Sequence, residues 1–190
     1  MLNLFTPLFR INNLRKVYDS IPKHDDIHWI IVTCEENNFD LFEYERTPNI
    51  TIIKLKTPEG IENIHLKTNA ALKILKDGFY FGLDDDTTFN PNTYELYKKY
   101  KYTHKMIIGK QLHIHKGKVQ IRLNETIPEC CKIDGAQALI HTSIAKQIPI
   151  GSLAKSHCAD GLWLLDLWNA CKPNERILVP EVISNYNFLR

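Results

Sequence analysis

Residues 27–34, IHWIIVTC, form a nearly unbroken apolar and β-branched run. A strand with one wet face alternates polar and apolar residues. A continuous run instead marks a strand covered on both faces, as in a parallel sheet enclosed by helices. The neighbouring segments fit that frame. NLFTP at 3–7 reads as a first strand ending at Pro7, and NITIIKL at 49–55 as a third. Between them, RINNLRKVYDSI at 10–21 places Leu14, Val17, Tyr18 and Ile21 at helical spacing. ENIHLKTNAALKILKDG at 62–78 is a helix with Ala71, Leu72 and Leu75 on one face and Gly78 as its stop. FYFGLDDD at 79–86 is a fourth strand. This alternation predicts an α/β fold, with a mixed, mainly parallel central sheet flanked by helices. Its crossovers are right-handed and its ligands gather at the carboxyl ends of strands.

The second half changes character. NPNTYELYKKY starts a helix with Asn90 as cap and Pro91 at the first helical position. Met106–Arg122 reads as β segments around a Lys116-Gly117 turn, an antiparallel portion. Residues 135–148 read as a strand or short helix leading into a helix, and 151–157 as loop. The stretch 159–171 is a strong helix with Trp163, Leu164, Leu167, Trp168 and Cys171 on one face, and the two tryptophans read as core. Residues 176–182 form a last short strand. With no repeat or Gly/Ser linker, the 190 residues fit a single domain, 1–190, standing alone or cut from a longer multidomain chain.

Composition narrows the class. The chain is 44% apolar and 24% charged, as soluble globular proteins are. Its net charge of +2 is too small for general nucleic-acid binding. Five cysteines without a CxxC spacing read as free thiols in a reducing compartment. No apolar run approaches the ~20 residues of a membrane span, and MLNLFTPLF lacks the parts of a signal peptide. These features predict a cytoplasmic protein with no membrane anchor.

LDDDT at 83–87 sets three acids directly behind an apolar strand. If the strand continues, Asp84 and Asp86 point one way and Asp85 the other. Two carboxylates at a sheet rim suit Mg²⁺ or Mn²⁺, which take one or two protein carboxylates plus substrate phosphates. The plain alternative is a solvated turn, with Thr87, Thr88 and Asn90 available as caps. Two chemistries place such a DxD at a strand end. In one, a metal holds a nucleotide-sugar diphosphate and stabilises it as a leaving group. In the other, the first Asp attacks a phosphoryl group, as in haloacid-dehalogenase-type phosphatases, whose DxDxT is matched by Asp84, Asp86 and Thr88. That motif belongs on the first strand of its fold, and here three strands precede it.

At these residues the sequence resembles the GT-A glycosyltransferases, and among them the inverting glucuronyltransferases of animal proteoglycan synthesis. The resemblance rests on TPLFR, HWIIVTCE, TNAALKIL and YFGLDDDTTFNPNTYEL in that order, with DGAQALIHTSIA where such enzymes carry an acceptor-side strand. It spans about residues 3–170. It implies a GT-A fold, a nucleotide-sugar donor (most often UDP-linked), Mn²⁺ or Mg²⁺, and a glycan acceptor. Carried over by position, Asp86 is the metal ligand, while Asp84 and Asp85 bind the nucleoside or assist the metal. Thr6 and Pro7 wall the nucleotide pocket and Asn69 sits near the sugar-phosphate. Thr68 stands where the family has a basic residue, with Lys67 next to it. The C-terminal VPEVISNYNFLR lacks the family's His/Arg segment, and the family's Golgi anchor is absent. A bacterial or viral relative using another sugar fits better than a glucuronate enzyme.

An inverting transfer needs a carboxylate to take the acceptor hydroxyl's proton. Asp160, at the start of a helix in HCADGLW, is the candidate base, or only that helix's cap; Asp134 in KIDGA competes. Arg10 and Glu35 or Glu36, just past the first and second strands, are candidates for the nucleotide. Lys155 and His157 are candidates for the diphosphate. His113 and His115 share a strand face as a weaker ligand pair.

Overall fold

The computed structural model describes residues 1–58, 60, 63–115, 118–122, 128–129, 132–151 and 159–189. Four strands build its first half: β1 (Leu2–Pro7), β2 (Ile27–Cys34), β3 (Ile50–Leu55) and β4 (Phe79–Gly82). β1, β2 and β4 are buried at every residue, as their largely apolar runs require, and the polar Asn3, Thr6 and His28 within them are hydrogen-bonded. They pair in parallel in the order β3-β2-β1-β4. Helix α1 (Ile11–Ser20) connects β1 to β2, a short α2 (Phe42–Glu45) precedes β3, and α3 (Ile64–Ile74) connects β3 to β4.

The sheet continues through strands of the second half: β5 (Thr88–Phe89), β6 (Met106–His115), β7 (Lys118–Arg122), β8 (Ala138–His141) and β9 (Arg176–Tyr186). Its order runs β3-β2-β1-β4-β8-β6-β9-β5, with β7 paired to β6 as an antiparallel ribbon. β8 is antiparallel to both β4 and β6, and β9 is parallel to β6. The helices of this half are α4 (Pro91–Tyr100), α5 (Thr142–Ala145) and α6 (Ala159–Ala170). Asn90 caps α4 by accepting from the Asn92 amide.

Each sheet face carries its own core. On one, Leu14 and Val17 of α1 and Leu96 and Tyr97 of α4 meet Leu2, Leu4, Phe79 and Phe81. On the other, Ala71 and Leu72 of α3 and Trp163, Leu164, Leu167 and Trp168 of α6 meet Phe5, Ile30, Tyr80 and Met106. Both tryptophans are core residues. Cys34 and Cys171 are buried and form no disulfide, and the other three cysteines lie outside the described residues.

Some boundaries differ from expectation. α3 ends at Ile74, ahead of Gly78. Gly78, at φ 136°, serves a close approach instead: a side chain there would overlap the backbone of Met1. β9 runs past the expected end at Val182 to Tyr186, and it carries Pro180 where the β6 pairing jumps from Leu178 to Val182, an irregularity that absorbs the missing N–H. The Lys116-Gly117 turn lies outside the described residues.

His28 gives the sheet a pH-sensitive joint. It is 2% exposed on β2, with Nδ1 at 3.2 Å from Asn3 Oδ1 and Nε2 at 2.8 Å from Thr51 Oγ1. Burial, then the charge of Lys76, lowers its pKa from 6.5 to about 4. Between those values the unfolded chain binds a proton that the folded one refuses. The associated stability is complete above pH 6.5 and falls by up to about 3 kcal/mol as the pH drops towards 4. Urea unfolding of His28→Gln is expected to show a correspondingly flatter stability profile over this window. An equal slope in wild type and variant removes His28 as its source.

Candidate active site

β1 and β4 are parallel neighbours, so their carboxyl ends open on the same edge of the sheet. The exits are stitched together. Leu83 N donates to Phe5 O at 2.8 Å, and Thr6 Oγ1 donates to Leu83 O at 2.6 Å while accepting from Trp29 Nε1 at 2.9 Å. Asp85 then reaches across to the loop after β1. Its Oδ2 accepts the amides of Phe9 and Arg10, each at 2.6 Å, and its Oδ1 accepts from the Arg10 guanidinium. The same guanidinium lies 3.2 Å from Asp86 Oδ2. Lys67, fully buried on α3, braces this loop from within: Nζ donates to Leu8 O at 3.0 Å and lies 3.5 Å from the centre of the Phe9 ring.

The acids are not on a continuing strand. β4 stops at Gly82, and Thr87 N donates to Asp84 O at 3.0 Å, closing a turn. The expected alternation of side chains is replaced by separation through bonding: Asp85 is anchored to residues 9–10. Asp85 and Asp86 are 1% exposed, whereas Asp84 is half-buried. Burial raises the Asp85 pKa, and the two amides and Arg10 oppose the rise.

Asp84 belongs to a second group of acids. Burial pushes its carboxyl well above the ordinary range, and Asp134, Asp86, Asp160 and Asp85 push further in the same sense. Asp160, in the first turn of α6, is raised to about 6 by burial and Asp134, with the Gly135 amide opposing. Tyr80, two residues before Gly82 on β4, meets Trp163 of α6 edge-on at 5.8 Å. Its phenol is pushed far up by burial, and then by Asp160 and Asp84. Asp134 caps a 3-10 turn over Gly135–Gln137, accepting from Ala136 N at 2.9 Å while Gln137 Oε1 accepts from Asp134 N at 3.1 Å.

The remaining candidates are placed as follows. Pro7 is the buried last residue of β1, and Thr6 is wholly buried in the bonds described above. Asn69 spends its amide on the backbone of Ile150, donating to O at 2.9 Å and accepting from N at 3.0 Å. Glu35 is exposed in a 3-10 turn directly after β2. His113 lies 3.2 Å from Asn187 Nδ2 and against the Tyr186 ring, on the side where Leu189 N donates to Asp86 O. Lys155, His157 and the side chain of His115 lie outside the described residues. Lys67, which the sequence places next to Thr68, turns out to brace the loop after β1. Gly135 was missed as a neighbour of Asp160, because no spacing rule signals a glycine against a carboxylate.

The cluster's chemistry suits a cation. Asp134, Asp86, Asp160 and Asp85 all act on Asp84, Asp134 also acts on Asp160, and the Arg10 guanidinium lies beside Asp86. Among the described residues no three His, Cys, Asp or Glu side chains form a metal cage. A divalent ion with one or two carboxylates and diphosphate oxygens fits both facts.

No family model and no curated protein matches the sequence. Solved structures do. Staphylococcus aureus TarS 1-349 superposes with a TM-score of 0.73 at 17% identity, over 97% of this chain and 60% of that one. The chain has a GT-A-type fold. The UDP-GlcNAc complex of TarS superposes with a TM-score of 0.69 at 15% identity, over 97% of this chain and 57% of that one. The 4-diphosphocytidyl-2C-methyl-D-erythritol synthase of Anaerococcus prevotii DSM 20548 shares the fold at 0.55 and 14% identity, over 94% and 86%. The chain thus spans about 60% of the solved TarS 1-349. In this fold the acids follow the fourth strand, which leaves the phosphatase reading without its strand order. No helix among the described residues is long and apolar enough to cross a membrane.

Proposed function

We propose that this protein is a metal-dependent, inverting glycosyltransferase that moves a sugar from a UDP-linked donor to a hydroxyl of a glycan acceptor. The observation that carries the reading is the like-charged group around Asp84 at the carboxyl ends of β1 and β4. The TarS complexes with UDP and UDP-GlcNAc support the donor class.

In this reading Asp86 and Asp84 hold Mn²⁺ or Mg²⁺ together with the donor diphosphate. The ion supplies charge neutralisation to the departing nucleoside diphosphate. Asp85 fixes the Phe9–Arg10 loop, so that the Arg10 guanidinium, still half exposed, flanks the diphosphate. Thr6 and Pro7 hold the wall of the nucleotide pocket through the strand ends, and Glu35 lies at its rim. Asn69 supports the donor side by fixing the backbone at Ile150. Asp160 takes the proton of the acceptor hydroxyl as that oxygen attacks the anomeric carbon and the nucleoside diphosphate leaves. A carboxyl with a pKa of about 6 is ionised at neutral pH yet basic enough to accept that proton. A cytoplasmic site of action agrees with the thiol pattern.

The test is thermal unfolding and donor hydrolysis with UDP-GlcNAc and Mn²⁺. At a donor concentration near 100 times Kd, binding adds about 2.7 kcal/mol, a rise of roughly 5–10 °C in Tm. Asp86→Ala is expected to lose the Mn²⁺-dependent part of that rise and at least about 100-fold in turnover. Unchanged Mn²⁺-dependent turnover in Asp86→Ala overturns the assignment.

A further inference from the structure

A wholly buried lysine is a rare thing, because its charge sits at the end of a flexible stem that readily reaches water. Lys67 is 0% exposed on α3, whose buried side also carries Thr68, Ala71 and Leu72. Its Nζ donates to Leu8 O at 3.0 Å and lies 3.5 Å from the centre of the Phe9 ring, a cation–π contact. Lys67 and Leu8 are 59 positions apart, so the bond ties α3 to the exit of β1.

The Leu8–Arg10 loop is held from two sides. On the first, Leu8 N donates to Val32 O of β2 at 2.8 Å while Leu8 O accepts from Lys67. On the second, Asp85 Oδ2 accepts the amides of Phe9 and Arg10, each at 2.6 Å. Asn13 N of α1 then donates to Arg10 O at 3.1 Å. Main-chain groups of all three residues are thus fixed by the protein itself. The Arg10 side chain, 42% exposed, extends from this loop to Asp85 and Asp86. Filling space does not call for a lysine at position 67. Methionine has nearly the same length and no charge to take out of water. What the lysine adds is a directed bond to one carbonyl and a hold on one ring, both in the segment that faces the acids.

We infer that Lys67 is a positioning residue for the donor: together with Asp85 it clamps the Leu8–Arg10 loop, so that the Arg10 guanidinium stands ready for the diphosphate. The inference rests on the proposed donor site. Being wholly buried, Lys67 acts through the loop rather than on the ligand. A loop fixed in advance spares the complex the cost of ordering it. Loss of Lys67 should therefore weaken donor binding more than it slows the chemistry.

The experiment measures UDP binding with Mn²⁺, and hydrogen exchange of the loop amides, in wild type, Lys67→Met, Arg10→Ala and the double variant, all well below Tm. Lys67→Met is expected to weaken UDP about tenfold and, in UDP-GlcNAc hydrolysis, to raise KM more than it lowers kcat. With Arg10→Ala already in place the same change should cost about threefold or less, because its route to the ligand is gone. The Phe9 and Arg10 amides of the wild type should be protected before UDP is added, and less so in Lys67→Met. Wild-type affinity in Lys67→Met, even at a lowered Tm, reduces Lys67 to packing and overturns the inference. An equal factor in both backgrounds overturns the route through the loop. Rapid exchange of the two amides in the free wild-type protein does so too, without needing any variant to fold. Wild-type protein that binds no UDP overturns the donor reading, and the inference with it.

Discussion

Asp160→Asn is expected to make the protein more stable and nearly inactive. In the unfolded chain this carboxyl titrates near 3.8, and in the fold it holds its proton to about 6. Folding is therefore most favoured below pH 3.8 with respect to this group, and loses ground up to pH 6 as the buried carboxylate is forced to ionise. Above pH 6 the penalty is constant, at up to about 3 kcal/mol. Asparagine keeps an oxygen for the Gly135 amide and carries no charge. The variant should therefore gain up to roughly 6–12 °C in Tm at pH 8 and almost nothing at pH 4. Transfer should fall by about 10²–10⁴, the usual contribution of a general base. In the wild type, turnover should rise with pH through about 6. Calorimetry at the two pH values and a rate profile read all of this. A variant less stable than wild type at pH 8, or one retaining full transfer, contradicts the assignment. Gain of stability with loss of function is a mark of a group kept for chemistry.

Asp85→Ala should have the opposite character. Its carboxylate is 1% exposed and accepts two backbone amides and a guanidinium. Truncation leaves the Phe9 and Arg10 amides without that acceptor and the Arg10 charge without that neighbour. The expected loss is about 3–5 kcal/mol, or roughly 10 °C in Tm. Arg10→Ala keeps both amide bonds to Asp85 but takes the guanidinium from two buried carboxylates, so it should lose less than Asp85→Ala, about 1–3 kcal/mol. Urea unfolding of the two variants settles the ranking. Should Arg10→Ala prove the more damaging, the guanidinium is the anchor and the carboxylate follows it. Both variants should weaken UDP binding, because the Phe9–Arg10 loop borders the proposed donor site.

The fold was legible where hydrophobic pattern and local geometry agree. IHWIIVTC and FYFG are strands in any reading, because a run with no polar face has to be enclosed. The 159–171 helix and its buried tryptophans were equally plain. The end of β4 was not. Whether Leu83–Asp86 continues a strand depends on which donors meet Asp85, and those donors sit about 75 residues earlier. The length of β9 was hidden for a related reason. The strand expected over 176–182 already spans Pro180, and its extension through Ile183–Tyr186 is set by pairing with Gln111–His113 of β6, about 70 residues earlier. Site residues divide in the same way. Asp84–Asp86 stand out by composition alone. Thr6 entered as a pocket wall through the family resemblance, and what no local pattern shows is that its hydroxyl joins Leu83 and Trp29. The contact of Asp160 with Gly135 joins residues 25 apart, and no local pattern encodes it.

The segment after β4 is also the seam between two assembly units. The parallel block β3-β2-β1-β4 is complete once residue 82 has been made. β5, which follows the acids directly, finds its partner only in β9, with Thr88 and Asn185 bonded across 97 positions of chain. Leu189 then closes onto the carbonyl of Asp86. Contacts of such long range are slow to form, since the intervening loop must be closed first. During synthesis the acidic turn would thus be held on its amino-terminal side early and on its carboxyl-terminal side last. A nascent chain stalled before residue 176 should carry a folded parallel block with an unfinished, inactive mouth.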